Sequence, residues 1–189
     1  MQKILQIVFS ILFSSFFTAQ VFVSVNGSGN GSGTSWANSS TLQNAITNAT
    51  SNTQLWLKRG TYNVSQTLEI TYNMDNLRMY GGFIGNEANL NQRDFVANPT
   101  IIDGQTTVQI MEINGSAFQA DGLTFQNGFV TGTITGGTNP NSGGGAIFIF
   151  AGNSVLRNCR FINNVSTSQR GAGAVYIRWG GNQLVENCL

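Results

Sequence analysis

The late part of the chain carries aromatic and cationic side chains at a spacing that suits carbohydrate binding. Two phenylalanines alternate with Ile147 and Ile149, and a second copy of the same segment places a tyrosine, an arginine and a tryptophan close by. Aromatic faces stack on sugar rings, and a guanidinium group donates hydrogen bonds to their hydroxyls. The predicted ligand-binding surface therefore consists of Phe148, Phe150, Tyr176, Arg178 and Trp179. The alternative is that these rings form an outer stack, covered by a loop such as residues 131–141.

Acidic residues are few and scattered, which argues against a catalytic or metal site. Asp103 and Asp121 each precede a glycine, as in a turn. Calcium needs six to eight oxygen ligands, and the chain has eight acidic residues in all. The chain contains no histidine, which excludes a histidine base and a histidine-bound metal. We predict no catalytic residue, metal or cofactor in these residues.

The remaining charged residues are predicted to pair with one another. Glu87, Arg93 and Asp94 are expected to form local ion pairs within a long loop. The repeats described below place Glu186 beside Arg157, which predicts an ion pair between neighbouring strands.

Two cysteines, Cys159 and Cys188, occupy the same position in successive repeats. Stacked strands would bring them within range of a disulfide, which an oxidising compartment permits. Side chains that run in parallel give a bridge strained geometry, so buried free thiols are the favoured interpretation.

The composition excludes several classes of protein. Charged residues are 9% of the chain and the formal net charge is +1, too little to neutralise nucleic-acid phosphates. The chain lacks the alanine, lysine and glutamate content of helical bundles. Aromatic residues are 11% of the chain, which argues against intrinsic disorder. A neutral, glycine-rich chain of this kind is typical of an extracellular β protein.

The amino terminus is predicted to be a secretory signal peptide over residues 1–20. Lys3 is its only charge, an apolar stretch runs from Ile4 to Phe17, and small residues follow near a plausible cleavage point. Four polar residues interrupt the stretch, so it is a poor membrane span. We expect a secreted or outer-surface protein.

Internal repeats predict the fold. The segment Gly144–Ile149 recurs as Ala172–Ile177, and Leu156–Cys159 recurs as Val185–Cys188. A looser upstream copy aligns Met111 and Ile113 with Ile147 and Ile149, and Gly122 with Asn158 and Asn187. Glycine and asparagine tolerate a left-handed backbone, so each repeat is predicted to bend at that position. Short strands that cannot bury a core alone can do so when stacked, which predicts an all-β parallel β-helix.

A short amphipathic helix should close one end of this stack. Ser40 and Gln43 have capping-box spacing, and Leu42, Ala45, Ile46 and Ala49 follow at helical intervals. First strands are expected at Leu55–Leu57 and Leu68–Ile70, with a turn at Gly60-Thr61 between them. The predicted segments are a signal peptide (1–20), an N-terminal cap (21–53) and β-helix coils (54–189). Because the last repeat stops part way, we expect an N-terminal piece of a longer protein, incomplete at its C-terminus.

The repeats resemble a known family. Gly144-Gly145-Ala146-Ile147 followed by Phe161-Ile162-Asn163-Asn164 is similar to the GGA[ILV]…FxxN repeat of chlamydial polymorphic outer membrane proteins. Two further stretches resemble the start of secreted right-handed β-helix proteins of the pectin-lyase-like superfamily: Thr34–Ala37, and Tyr80–Phe83 with Arg93-Asp94 and Pro99–Ile101. The resemblance implies a right-handed helix and export.

Two functions follow from the resemblance. Enzymes of that superfamily act on acidic polysaccharides, using carboxylate-bound calcium and a basic residue. Without such a cluster, we expect a non-catalytic bacterial adhesin or display stalk that contacts glycans. Its partner would be extracellular polysaccharide or the surface of a host or neighbouring cell. The alternative is the N-terminal part of a polysaccharide lyase or hydrolase whose active site lies in missing coils.

Overall fold

The computed structural model describes residues 19–132, 143–168, 171–179 and 181–189. These residues are mostly β, as predicted, with one short α-helix. Sixteen strands lie in the described ranges: β1 (Gln20–Val23), β2 (Gln54–Lys58), β3 (Gly60–Asn63), β4 (Leu68–Ile70), β5 (Leu77–Phe83), β6 (Thr100–Asp103), β7 (Met111–Asn114), β8 (Phe118–Asp121), β9 (Thr124–Gln126), β10 (Phe129–Val130), β11 (Ile147–Ala151), β12 (Ser154–Arg157), β13 (Arg160–Ile162), β14 (Val165–Ser166), β15 (Val175–Ile177) and β16 (Leu184–Glu186).

These strands form four sheets in which all neighbours are parallel. Sheet A has the order β1-β2-β5-β8-β12-β16, and sheet B the order β3-β6-β9-β13. Sheet C has the order β4-β7-β11-β15, and β10 and β14 form the small sheet D. From β2 onward the chain adds one strand to sheet A, one to sheet B and one to sheet C, and then returns to sheet A. Each strand therefore pairs with the strand at the same place in the next such round. We call each such round a tier.

The predicted alignment of the repeats is confirmed by the strand register. Ile147 pairs with Met111 on one side and Val175 on the other, and Ile149 pairs with Ile113 and Ile177. Arg160 and Phe161 pair with Thr124 and Phe125. The register also extends upstream, since Leu68 and Ile70 pair with Met111 and Ile113. The sequence repeats did not reveal this earlier tier.

The core is built from columns of like side chains that point inward at every tier. Ile147, Ile149 and Cys159 are buried as predicted, while Phe161 is partly buried and packs on the core. The Phe161 ring stacks on Phe125 at 5.5 Å between centroids, with the planes 12° apart. Removing each large side chain from water contributes on the order of 1.5–3 kcal/mol. The core is therefore continuous from tier to tier.

The predicted left-handed bend is confirmed at all three positions. Gly122, Asn158 and Asn187 have φ values of 72°, 53° and 52°. The two asparagines also form a ladder: Asn187 Nδ2 donates to Asn158 Oδ1 (3.4 Å), and Asn158 Nδ2 donates to Asp121 Oδ1 (2.8 Å). At Gly122 a Cβ would lie 2.7 Å from the Phe95 Cβ, so that bend requires glycine for space as well.

The predicted helix is present as α1 (Leu42–Thr47), and its buried side chains are Leu42, Ala45 and Ile46. The predicted N-cap at Ser40 is wrong. Thr41 is the N-cap, and its side chain accepts the Asn44 N–H, because Ser40 is held in a parallel bridge with Val23. The turn predicted at Gly60-Thr61 is also wrong, since both residues begin β3, which pairs with β6.

Both cysteines are free thiols, the favoured interpretation. Cys159 Sγ donates to the Arg157 carbonyl at 3.2 Å, and Cys188 Sγ donates to the Leu156 carbonyl at 3.4 Å. Burial raises the pKa of Cys159 to about 12, whereas Cys188 is only partly buried.

Two predicted features lie wholly or mostly outside the described residues: the signal peptide over 1–20 and the loop over 131–141. Among the residues that the structure describes, no helix has both the length and the apolar character needed to cross a bilayer.

Substitution of Asn158 tests the bend. We expect Asn158→Gly to keep the left-handed backbone but lose the ladder bonds, at a cost of about 1 kcal/mol. Asn158→Val should cost more, because a β-branched residue resists this conformation. Urea unfolding midpoints of both variants measure the difference. Equal midpoints would show that the backbone conformation contributes nothing.

Alkylation tests the placement of the thiols. We expect iodoacetamide at pH 8 to modify Cys188 much faster than Cys159, because the thiolate is the reactive form and Cys159 is buried with a raised pKa. Peptide mass spectrometry measures both rates, and urea-unfolded protein serves as the control in which both react. Equal rates in the native protein, or reaction only after reduction, would contradict the structure.

Candidate functional site

Three of the five residues of the predicted binding surface lie on β11 and β15 of sheet C, and Arg178 and Trp179 follow β15 directly; they do not all reach solvent. Phe148 and Tyr176 are register partners, and their rings stack at 5.8 Å with planes 15° apart. The predicted exposure of Phe148 is wrong, because its exposed fraction is 0%. The backbone of Gly143 covers the ring so closely that a Cβ there would lie 2.5 Å from it. Phe148 therefore packs beneath Tyr176 and cannot contact a ligand directly.

The part of the surface that reaches solvent is made by the exposed rings of Phe150 and Trp179 and by the half-buried Arg178. Phe150 is 39% exposed and Trp179 57%, and their ring centroids are 6.2 Å apart with planes tilted by 53°. The Arg178 guanidinium lies 5.8 Å from the centre of the Phe150 ring, within the range of a cation–π contact. The backbone holds this group together, since the Arg178 N–H donates to the Ile149 carbonyl at 3.0 Å. We call these three residues the aromatic patch. Tyr176, half-buried, lies on Phe148 beside it.

Two carboxylates lie on the outer face of the same sheet, and the sequence analysis missed their proximity. Glu69 and Glu112 are register partners, and Glu112 is in turn the partner of Phe148. The sequence does contain a matching pattern, because each glutamate lies between two apolar residues that point inward. The long insertion between β5 and β6 makes this repeat longer than the later ones, so comparison of the repeats did not reveal it.

The surroundings of Glu112 favour its protonated form. Burial raises the pKa of Glu112, the Asn114 amide that donates to it at 2.9 Å partly opposes the shift, and the charge of Glu69 adds to the rise. Glu69 itself is exposed. The outer face of sheet C is therefore acidic over β4 and β7 and aromatic over β11 and β15.

Arg93 does not form the local ion pair that we predicted. It instead reaches Asp121 in the next tier, with Nη2 to Oδ2 at 2.9 Å, and it also donates to the Gly81 and Asp121 carbonyls. Both side chains are largely buried. With Asn158 donating to the same carboxylate, this group joins the long loop to the bend ladder. Its role is to hold structure, since both carboxylate oxygens of Asp121 and the amide of Asn158 are engaged.

The other two loop carboxylates bind backbone N–H groups, so their predicted ion pairs are wrong as well. Glu87 accepts from Ile84, Gly85 and Asn86 at 2.6–3.0 Å. Burial opposes ionisation of Glu87, but these backbone bonds outweigh it and lower the pKa. Asp94 accepts from Val96 and Ala97, both at 3.0 Å. These carboxylates shape the loop.

The remaining acidic residues have local roles. Asp103 accepts the Gln105 N–H at 2.7 Å, as the predicted turn requires, and also the Gln126 and Asn127 amides. The predicted pair between Arg157 and Glu186 is confirmed at 2.8 Å. In the part of the chain that the structure describes, no three His, Cys, Asp or Glu residues are grouped as metal ligands.

No known protein family, no curated protein and no solved structure matches the chain.

Proposed function

We propose that the parallel sheets are the faces of a right-handed parallel β-helix, of the kind found in chlamydial polymorphic outer membrane proteins and the pectin-lyase-like superfamily. Three features support it: the regular return of the chain to sheets A, B and C, the parallel register of every pair, and the repeated left-handed bends. In this proposal α1 belongs to the cap over residues 21–53, and the coils run over 54–189.

The protein is proposed to be exported by a bacterium and to act at the cell surface or in the surrounding medium. The charge pattern of residues 1–20 and the low overall charge support export. The free thiol of Cys159 is compatible with this location, because it is fully buried.

Its proposed function is that of a non-catalytic adhesin or display module that contacts glycans through the aromatic patch. The observation that carries the proposal is the convergence of two exposed rings and a guanidinium on a parallel sheet. Tilted aromatic faces can hold the apolar faces of a sugar while the guanidinium donates to its hydroxyls. The partner would be extracellular polysaccharide or glycans on a host or neighbouring cell.

Removal of Trp179 tests this function. We expect Trp179→Ala to lower the affinity for immobilised polysaccharide at least tenfold, because the exposed ring on which a sugar would stack is lost. Affinity electrophoresis in gels that contain different polysaccharides measures the retardation. Tyr72→Ala is the matched control, because Tyr72 is a 75% exposed aromatic outside the patch. No retardation of the wild type by any polysaccharide, or equal loss in both variants, would contradict the proposal.

The second candidate function is a polysaccharide lyase or hydrolase. The sequence predicts its active site in missing coils, whereas the neighbouring glutamates of β4 and β7 favour a site on sheet C itself. Neighbouring strands lie about 4.8 Å apart, so register partners can bring their carboxyl groups close to the separation of about 5 Å found in retaining glycosidases. The raised pKa of Glu112 would suit a general acid, and exposed Glu69 would suit the nucleophile. The adjacent aromatic patch would hold the chain of sugars.

Hydrolysis can be tested on the same polysaccharides by release of reducing ends, and elimination by absorbance of unsaturated products. On this second candidate, Glu112→Gln should lower the hydrolytic rate at least 100-fold, since an amide cannot supply the proton. Asn63→Asp, which adds an acid away from sheet C, serves as a surface-charge control. If Glu112→Gln hydrolyses the polysaccharides as fast as the wild type, or if the wild type does not hydrolyse them at all, the glutamates have no catalytic role.

A further inference from the structure

An open cavity lies beside the first strands of sheet A, away from sheet C. Its volume is about 310 Å³, and its lining includes Ser24, Ser28, Trp36, Ser39, Lys58 and Arg59. Strand register explains how the lining comes together. Val23 pairs with Leu57, so Ser24 and Lys58 follow side by side where β1 and β2 end.

The cations of this cavity lack carboxylate partners. Among the described residues, neither Lys58 nor Arg59 makes an ion pair, and no acidic residue lines the cavity. The nearby carboxylate of Glu87 is occupied by three backbone N–H groups. Arg59 Nη1 donates to Asn98 Oδ1 at 3.3 Å, which leaves most of its donors available. Both cations are exposed. Two adjacent positive charges without a counter-charge favour an anionic ligand.

The serines of the cavity offer acceptors and not donors. Ser28 Oγ donates to the Trp36 carbonyl at 3.0 Å, which can only accept, so its single proton is used. The 2.9 Å contact between Ser28 and Ser39 must then use the Ser39 proton. The 2.6 Å contact between Ser39 and Ser24 must use the Ser24 proton. Ser24 Oγ, only half-buried, therefore keeps lone pairs that can accept from a hydroxyl of the ligand.

Trp36 adds an apolar wall. Its Nε1–H donates to the Glu87 carbonyl at 3.0 Å, and its ring packs edge-on against Phe22 at 4.7 Å. The indole is thus held in place, and what it presents to the cavity is hydrocarbon. A ligand that matches the two cations, the Ser24 acceptor and the Trp36 ring carries an oxyanion, at least one hydroxyl, and an apolar face.

We propose that this cavity binds a sugar that carries an anionic group such as a phosphate. Lys58 and Arg59 bind the oxyanion, Ser24 Oγ accepts from a sugar hydroxyl, and the ring of Trp36 contacts the apolar face of the sugar. The site is independent of the aromatic patch and of the glutamates on sheet C.

Titration of the full chain with glucose 6-phosphate at constant ionic strength tests the site, followed by amide chemical shifts or by calorimetry. We expect saturable binding, with shifts at Ser24–Ser28, Lys58 and Arg59. Glucose and chloride should produce no saturable response. Inorganic phosphate should bind more weakly than glucose 6-phosphate, because it cannot contact the Trp36 wall.

Charge-removing variants show whether the two cations bind the ligand. Lys58→Gln and Arg59→Gln should each weaken binding about tenfold or more. Arg160→Gln removes an exposed arginine that does not line the cavity and should leave binding unchanged. Unchanged urea midpoints would show that the variants are folded. The proposal is overturned if glucose 6-phosphate does not saturate, if chloride or inorganic phosphate acts equally, or if the Arg160 variant loses as much affinity as the Lys58 variant.

Discussion

The parallel register of successive tiers is the constraint on which the rest of this structure depends. Each strand hydrogen-bonds to its counterpart in the next tier, so like positions are held about 4.8 Å apart along every sheet. An apolar residue at one inward position then needs an apolar neighbour at the same position above and below. The column Leu68, Met111, Ile147 and Val175 is one result. A one-residue slip in any tier would turn its inward side chains to the outside.

The corners between sheets are under a similar constraint. In the three later tiers the chain turns sharply after its sheet A strand through one left-handed residue, which glycine or asparagine provides at low cost. Asparagine adds a side-chain ladder along the corner, whereas Gly122 leaves space for the loop that carries Arg93 and Phe95. The same corner thus stabilises the stack in one tier and anchors a loop in another.

Since the register fixes the apolar residues that point inward, the side chains that can differ from tier to tier lie on the outward-facing positions and in the loops. The outer face of sheet C changes from glutamates to aromatic residues along one column, and the loop after β1 forms the walls of the cationic cavity. Most carboxylates of the long loop instead accept backbone N–H groups, which is how a chain with few charges keeps irregular segments in place. Among the described residues, Lys58 and Arg59 form no ion pair, and both line the same cavity.

The sequence by itself determined the all-β character, the alignment of the later tiers, the bends at Asn158 and Asn187, and the apolar face of α1. These depend on periodicity and local backbone preference, which are properties of residue order. Only the tertiary structure decided that Gly143 covers Phe148, that Arg93 reaches Asp121, and that Glu69 meets Glu112. Glu69 and Glu112 are separated in sequence by the long loop, Arg93 lies within that loop, and Gly143 folds back onto a ring five residues away. Where such segments fold back depends on packing that no local pattern encodes.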